Sequence, residues 1–258
     1  MTSTELSNEF DVLYNNITSN QAPGLNEYEK SIFLTKAQSQ LITEYFNGRT
    51  DGVGGGFDGS QKRQYDFSKL ILTKELQSQS INDYVKIDQR SAVYAFPEDY
   101  FLSVNEILRD EKYQYNVIPL GYEEYSRLMM KPYNFPVKRA VWRLFTGEYA
   151  VSTDELNSET TKVTVAEIIG KPTMTTEGIE NVKYVLRYIK KPAPIILENL
   201  SNYGEEIKID GKQGVSDCEL PEATHHEILE RAVTLAKIAW QGGTGTLTQA
   251  AAAQNNNR

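Results

Sequence analysis

The sequence predicts an α+β fold: N- and C-terminal helices form a helical bundle, an antiparallel β-rich lobe is inserted between them, and a disordered C-terminal arm follows. Three observations predict it. Apolar residues recur at helical spacing in both terminal stretches, the period shifts toward two between Tyr113 and Asp210, and after Trp240 the chain turns to Gly, Thr, Ala and Asn. The domains that follow are 1–112 with 211–241 for the bundle, 113–210 for the lobe and 242–258 for the arm.

The first helix opens on Thr2 and Glu5, which have the spacing of a reciprocal cap, and carries Leu6, Phe10, Leu13 and Ile17 on one face. Pro23-Gly24 breaks the chain before a longer helix from about Asn26 to Asn47, whose apolar members from Tyr28 to Phe46 form a wide stripe. The glycine-rich stretch 48–60 reads as a flexible excursion. Phe67–Gln79 is expected to be a short helix, Ala92–Phe96 a strand, and Pro97-Glu98-Asp99 the start of a helix reaching Asp110 with Phe101, Val104, Ile107 and Leu108 apolar. Strands rich in Val, Ile and Tyr are expected at Asn116–Leu120, Arg139–Phe145, Lys162–Ile169, Val182–Lys190 and Glu205–Asp210, with Asp210-Gly211 as a turn. The last helix starts near Pro221 and covers two adjacent faces with Ile228, Leu229, Ala232, Val233, Leu235, Ala236, Ala239 and Trp240, a breadth that asks for more than one partner helix.

Composition narrows the function. With 27 basic against 35 acidic residues the net charge is −8, the wrong sign for a protein that grips phosphates, though an acidic surface suits DNA that only passes by. No apolar run is long enough to span a bilayer, and Met1-Thr2-Ser3-Thr4-Glu5 has neither the basic nor the apolar region of a signal peptide, so no membrane role and synthesis in a cytoplasm are expected. A single cysteine, Cys218, excludes an intrachain disulfide, and its acidic neighbours Asp217 and Glu219 argue against a reactive thiol.

Each chemical constellation has a plainer explanation. Gly54 to Gly59 matches G-x-G-x-x-G, but it follows a helix where the dinucleotide fingerprint must leave a strand, and Ser60-Gln61 stands where a phosphate loop needs Lys-Ser/Thr. His225 and His226 are adjacent on a helix, so their rings point about 100° apart, and Glu222 with His225 lacks the second Glu-x-x-His of a di-iron bundle. No catalytic residue, cofactor site or metal site is expected. The 16 tyrosines carry a softer signal: stiff, amphipathic rings suit interfaces, and Tyr113, Tyr115, Tyr122, Tyr125, Tyr133 and Tyr149 gather in the β-rich stretch.

Four blocks resemble virion proteins of crAss-like phages. They are Glu9-Phe-Asp-Val-Leu-Tyr-Asn-Asn-Ile17, Ala22-Pro-Gly-Leu-Asn-Glu-Tyr-Glu-Lys-Ser-Ile-Phe-Leu-Thr-Lys-Ala-Gln38, the tyrosine-rich stretch from Tyr184 to Leu197, and Asp217 to Lys237. The resemblance covers both ends and part of the middle. It implies a non-enzymatic ring protein of the portal–tail connector, similar to the head-to-tail adaptors of short-tailed phages. The partners it implies are further copies of the chain in a twelve-fold ring, the portal protein, adjacent connector or tail rings, and viral DNA in transit. It places the protein in the virion at the portal vertex or tail after assembly in the host cytoplasm, with residues 241–258 ordering only against a portal or neighbouring ring. Two other readings stay open: a minor capsid or head-surface protein, and an enzyme such as a cell-wall hydrolase or packaging factor.

Overall fold

The computed structural model describes residues 1–17, 24–47, 61–79, 81, 84–88, 91–110, 113–131, 136, 139–152, 160–170, 182–204 and 206–241. The glycine-rich stretch 48–60 and the C-terminal 242–258 therefore lie outside the described residues. In chain order the elements are α1 (Ser3–Ile17), α2 (Glu27–Asn47), α3 (Gln61–Asp66), β1 (Ile71–Leu76), β2 (Ala92–Ala95), β3 (Tyr100–Arg109), β4 (Gln114–Pro119), α4 (Tyr122–Met129), β5 (Ala140–Ser152), β6 (Thr160–Ile169), β7 (Lys183–Lys190), a 3-10 turn (Leu200–Asn202) and α5 (Glu222–Gln241). Two compact units result, one of residues 1–70 with 192–258 and one of residues 71–191.

The helical unit packs the apolar faces of its three long helices together. Leu6, Phe10 and Tyr14 of α1, Leu34, Ala37, Leu41 and Ile42 of α2, and Ile228, Leu229, Ala232, Val233 and Ala236 of α5 are buried. Each large side chain so buried contributes about 1.5–3 kcal/mol, and the alanines let the helices approach closely. Two reciprocal caps start the first two helices. Thr2 N–H donates to the Glu5 carboxylate (2.8 Å) while Glu5 N–H donates to Thr2 Oγ1 (3.3 Å), and Asn26 with Glu29 repeats the arrangement at 3.0 and 2.8 Å. Lys30 Nζ, almost fully buried, reaches from α2 to Asp11 of α1 (2.8 Å), to Glu27 (2.9 Å) and to Ser7 Oγ (3.1 Å). Burial works against its charge, but the hydrogen bonds and fields of Asp11 and Glu27 outweigh it and hold the ammonium above its ordinary pKa.

The second unit is one seven-stranded sheet in the order β1-β7-β3-β4-β5-β6-β2. Neighbours are antiparallel except β4 and β5, which run parallel with α4 between them in the chain. The sheet is curled. Tyr94 of β2, at one end of the order, stacks at 5.1 Å on Tyr184 of β7, next to the other end, and its hydroxyl donates to the Val182 carbonyl (3.0 Å). Gln79, just past β1, donates its N–H to Val93 of β2 (2.9 Å). The enclosed core is aromatic: Phe96 sits between Tyr100 (4.8 Å) and Phe145 (5.4 Å), with Leu108, Val141, Ala166, Ile168 and Leu186 around them. A second cluster lies under α4, where Tyr125 meets Trp142 edge-on with Leu144 and Ile169 beside them.

This corrects the expected fold class. The chain is α+β, but a seven-stranded sheet beginning at Ile71 dominates its middle, so it is not a helical bundle carrying a small antiparallel lobe. The helices expected at Phe67–Gln79 and Pro97–Asp110 are strands β1 and β3, and the strand expected at Glu205–Asp210 is reduced to a single bridge, Ile209 to Lys212, across the Asp210-Gly211 turn. That turn is where the sequence places it, with φ of +48° and +77°.

Candidate functional site

The residues that sequence motifs single out are structural where they can be seen. Cys218 is mostly buried, and burial followed by the Glu219 charge pushes its thiol up to about 11, so the nucleophilic thiolate is disfavoured at neutral pH. His225 is buried, with Nε2–H donating to the Leu220 carbonyl (2.9 Å) and Nδ1 facing the amino group of Met1 at 3.2 Å. That carbonyl can only accept, so the tautomer is fixed by it. Burial lowers the pKa of His225, with the nearby positive amine adding to the effect. His226 instead stands in solvent 3.7 Å from Glu9, so the two rings serve different neighbours, as adjacent helical positions require. Among the described residues no three His, Cys, Asp or Glu side chains gather as a metal would need, and no helix is long and apolar enough to cross a membrane.

Two buried carboxylates that the sequence reading passed over organise the sheet unit. Glu106 of β3 faces the Arg143 guanidinium of β5 (Nε to Oε2, 2.8 Å) and accepts from the Tyr184 hydroxyl (2.8 Å), and the guanidinium lies 3.8 Å over the Phe145 ring. Burial first, and Glu106 next, push the Tyr184 phenol far above its ordinary pKa. Glu167 of β6 is fully buried and accepts hydrogen bonds from the Tyr84 hydroxyl (2.6 Å), Ile87 N–H (2.9 Å), Asp88 N–H (2.9 Å) and the Ser91 hydroxyl. One side chain thus ties residues 84–88 and Ser91 to the sheet. The available signal was a charge set among apolar neighbours within each strand: Glu106 in Tyr100–Arg109, Arg143 in Ala140–Ser152 and Glu167 in Thr160–Ile169.

What the surface offers is apolar contact area. On the sheet unit Val85 is 83% exposed, carried by the segment that Glu167 pins, and Tyr113, Ile118, Tyr122 and Met130 are also exposed. The tyrosines divide as their surroundings dictate. Tyr94, Tyr125, Tyr184 and Tyr188 are core, Tyr149 packs edge-on against Tyr84 at 5.1 Å, Tyr113 and Tyr122 remain half in solvent, and Tyr133 lies outside the described residues. Charge divides too: residues 1–70 with 192–258 hold 11 Lys and Arg against 18 Asp and Glu, while 71–191 holds 16 against 17.

The described residues thus combine buried polar groups that hold the fold with aromatic and aliphatic side chains exposed at the surface. The profile of the phage tail ring protein 3/4 family matches residues 1–248, and the chain belongs to that family. It is 43% identical over 242 residues to Ring protein 4/5 of Bacteroides phage crAss001, covering 94% of each chain. To Ring protein 3 of the same phage it is 32% identical over 253 residues, covering 95% of this chain and 99% of that one. The chain is thus a ring protein of a crAss-like phage and a component of the virion.

Proposed function

We propose that twelve copies of this chain assemble into a ring in the portal–tail connector, joining the portal to the tail and surrounding the channel through which viral DNA passes. The observation that carries the reading is the family match along residues 1–248 together with near full-length relatives named ring proteins. Physical features support it. A closed ring needs each subunit to present two different patches to its two neighbours, and exposed apolar side chains occur both on the sheet unit, at Val85 and Tyr122, and on the helical unit, at Val12 and Val215. The acidic excess of residues 1–70 with 192–258 repels phosphates, so DNA slides past without being held. The protein acts through these surfaces rather than by turnover, and its partners are its own copies, the portal and the adjoining rings.

The test is to co-express the chain with its phage's portal protein and weigh the product by native mass spectrometry. The expected result is a complex with the portal whose ring component is twelve times the 29.2 kDa subunit. A chain that stays monomeric beside an intact portal contradicts the assignment.

A further inference from the structure

Helix α4 ends in a patch of one kind of charge around an exposed apolar side chain. Met130 keeps helical dihedrals (φ −65°, ψ −18°) and Lys131 N–H still donates to the Leu128 carbonyl (3.1 Å), so Arg127, Met130 and Lys131 fall on one side of this end. All three are exposed, Met130 by 82%. Among the described residues neither cation has an ion-pair partner. The negative end of the helix dipole accounts for cations at this place. It does not account for a thioether held in water between them, a flexible side chain suited to contact because it bends to fit.

The helical unit carries the counterpart. Glu5, Glu9 and Val12 succeed one another at spacings of four and three along α1, so they share a face, and Val12 is 58% exposed. Glu9 lies 3.7 Å from His226 of α5, which joins that face to the exposed Glu230 one turn further along α5. Here the charge is negative, with an aliphatic side chain at the end of the row. The unit as a whole has the same sign, 18 acidic against 11 basic residues.

We propose that these two patches meet between neighbouring copies of the chain: the end of α4 on one subunit seats Met130 against Val12 of the next, with Arg127 and Lys131 facing Glu9 and Glu230. Opposite patches on different parts of one chain make a head-to-tail contact, the kind that closes into a ring. Complementary charge around an apolar centre fixes which surfaces find each other. This contact rests on ring assembly and assigns it to particular surfaces.

The test uses two reversed chains, each of full length and expressed with the phage's portal protein. Arg127→Glu with Lys131→Glu turns the α4 patch negative, and Glu9→Lys with Glu230→Lys turns the α1 and α5 patch positive. Each chain alone then sets like charge against like, whereas a mixture restores opposite charges at every contact of an alternating ring. Native mass spectrometry, with circular dichroism to establish that each chain is folded, is expected to find monomers for either variant alone and a ring holding equal numbers of both for the mixture. A ring from either variant alone, or monomers that persist in the mixture of folded chains, overturns the contact while the ring of the unmodified chain still stands. An unmodified chain that forms no ring removes both. A reversed chain that misfolds leaves the salt response of the unmodified ring to decide: its population falls as salt is raised to about 1 M, where the screening length is about 3 Å, and a ring indifferent to salt overturns the contact.

Discussion

A charge inside a sheet core persists only while its partners are present, and Glu106 with Arg143 is the clearest instance in this molecule. Replacing one member strands the other in a low-dielectric interior, which typically costs about 3–5 kcal/mol, whereas replacing both with apolar groups of similar volume is often close to neutral. Arg143→Met alone is therefore expected to lower the urea unfolding free energy by about 3–5 kcal/mol. Glu106→Leu combined with Arg143→Met should recover most of that loss, less the hydrogen bond that the Tyr184 hydroxyl forfeits; equal losses in single and double variants would show that the pair is not coupled. His225 gives a pH dependence of definite sign. Its folded pKa lies below the unfolded value of about 6.5, so its contribution is present above pH about 6.5 and is lost as pH falls toward the folded pKa. Unfolding free energies from urea titrations between pH 7.5 and 5.5 should fall with acid by at most about 1.4 kcal/mol per pH unit from this residue, and His225→Gln should flatten the slope. An unchanged slope in that variant would remove His225 from the account.

At the scale of elements, the long helices are legible in the sequence because each carries its own start signal and its own apolar face. The Thr2 and Glu5 cap predicted from spacing is present in both directions, and α2 ends at Asn47 as expected. Strand β3 deceives the eye for a physical reason. Its pairing with β7 shifts register between Tyr100 and Leu102 and again between Ser103 and Asn105, so Phe101, Val104 and Ile107 fall at intervals of three in an extended chain. Bulges of this kind convert a period of two into something that counts as helical. Strand β1 hides differently: it lies at the end of the sheet order with Thr73, Lys74 and Glu75 all exposed, and shows no alternation to read. Residues 84–88 and Ser91 carry no periodicity to read, and four of their hydrogen bonds go to one distant side chain, Glu167. Glu167→Ala removes the acceptor from two hydroxyls and two backbone N–H groups, each costing about 1–3 kcal/mol if it stays buried and unpaired. The expected outcome is local: amide hydrogen exchange at Ile87 and Asp88 rises toward that of an open chain while the α2 and α5 amides keep their protection. Unchanged exchange at Ile87 and Asp88 would mean that other contacts hold the segment.

At the scale of the whole molecule, the candidate site is a set of contact surfaces, and such surfaces leave a weaker mark on a sequence than catalysis does. An active site announces itself through residue types at fixed spacing. An interface is made of Tyr, Val, Ile and Met side chains whose exposure is decided only by the fold: Tyr184 and Tyr122 are indistinguishable as letters, yet one is core and the other half in solvent. What the sequence could carry was kinship, in blocks at both ends of the chain, and the family match along residues 1–248 makes that kinship explicit. The central claim is that this ring protein sits in the connector between portal and tail. A reconstruction of the phage particle that places the chain tests it most directly. The account predicts twelve copies related by rotation about the tail axis, in contact with the portal; copies distributed over the head with icosahedral symmetry would contradict it.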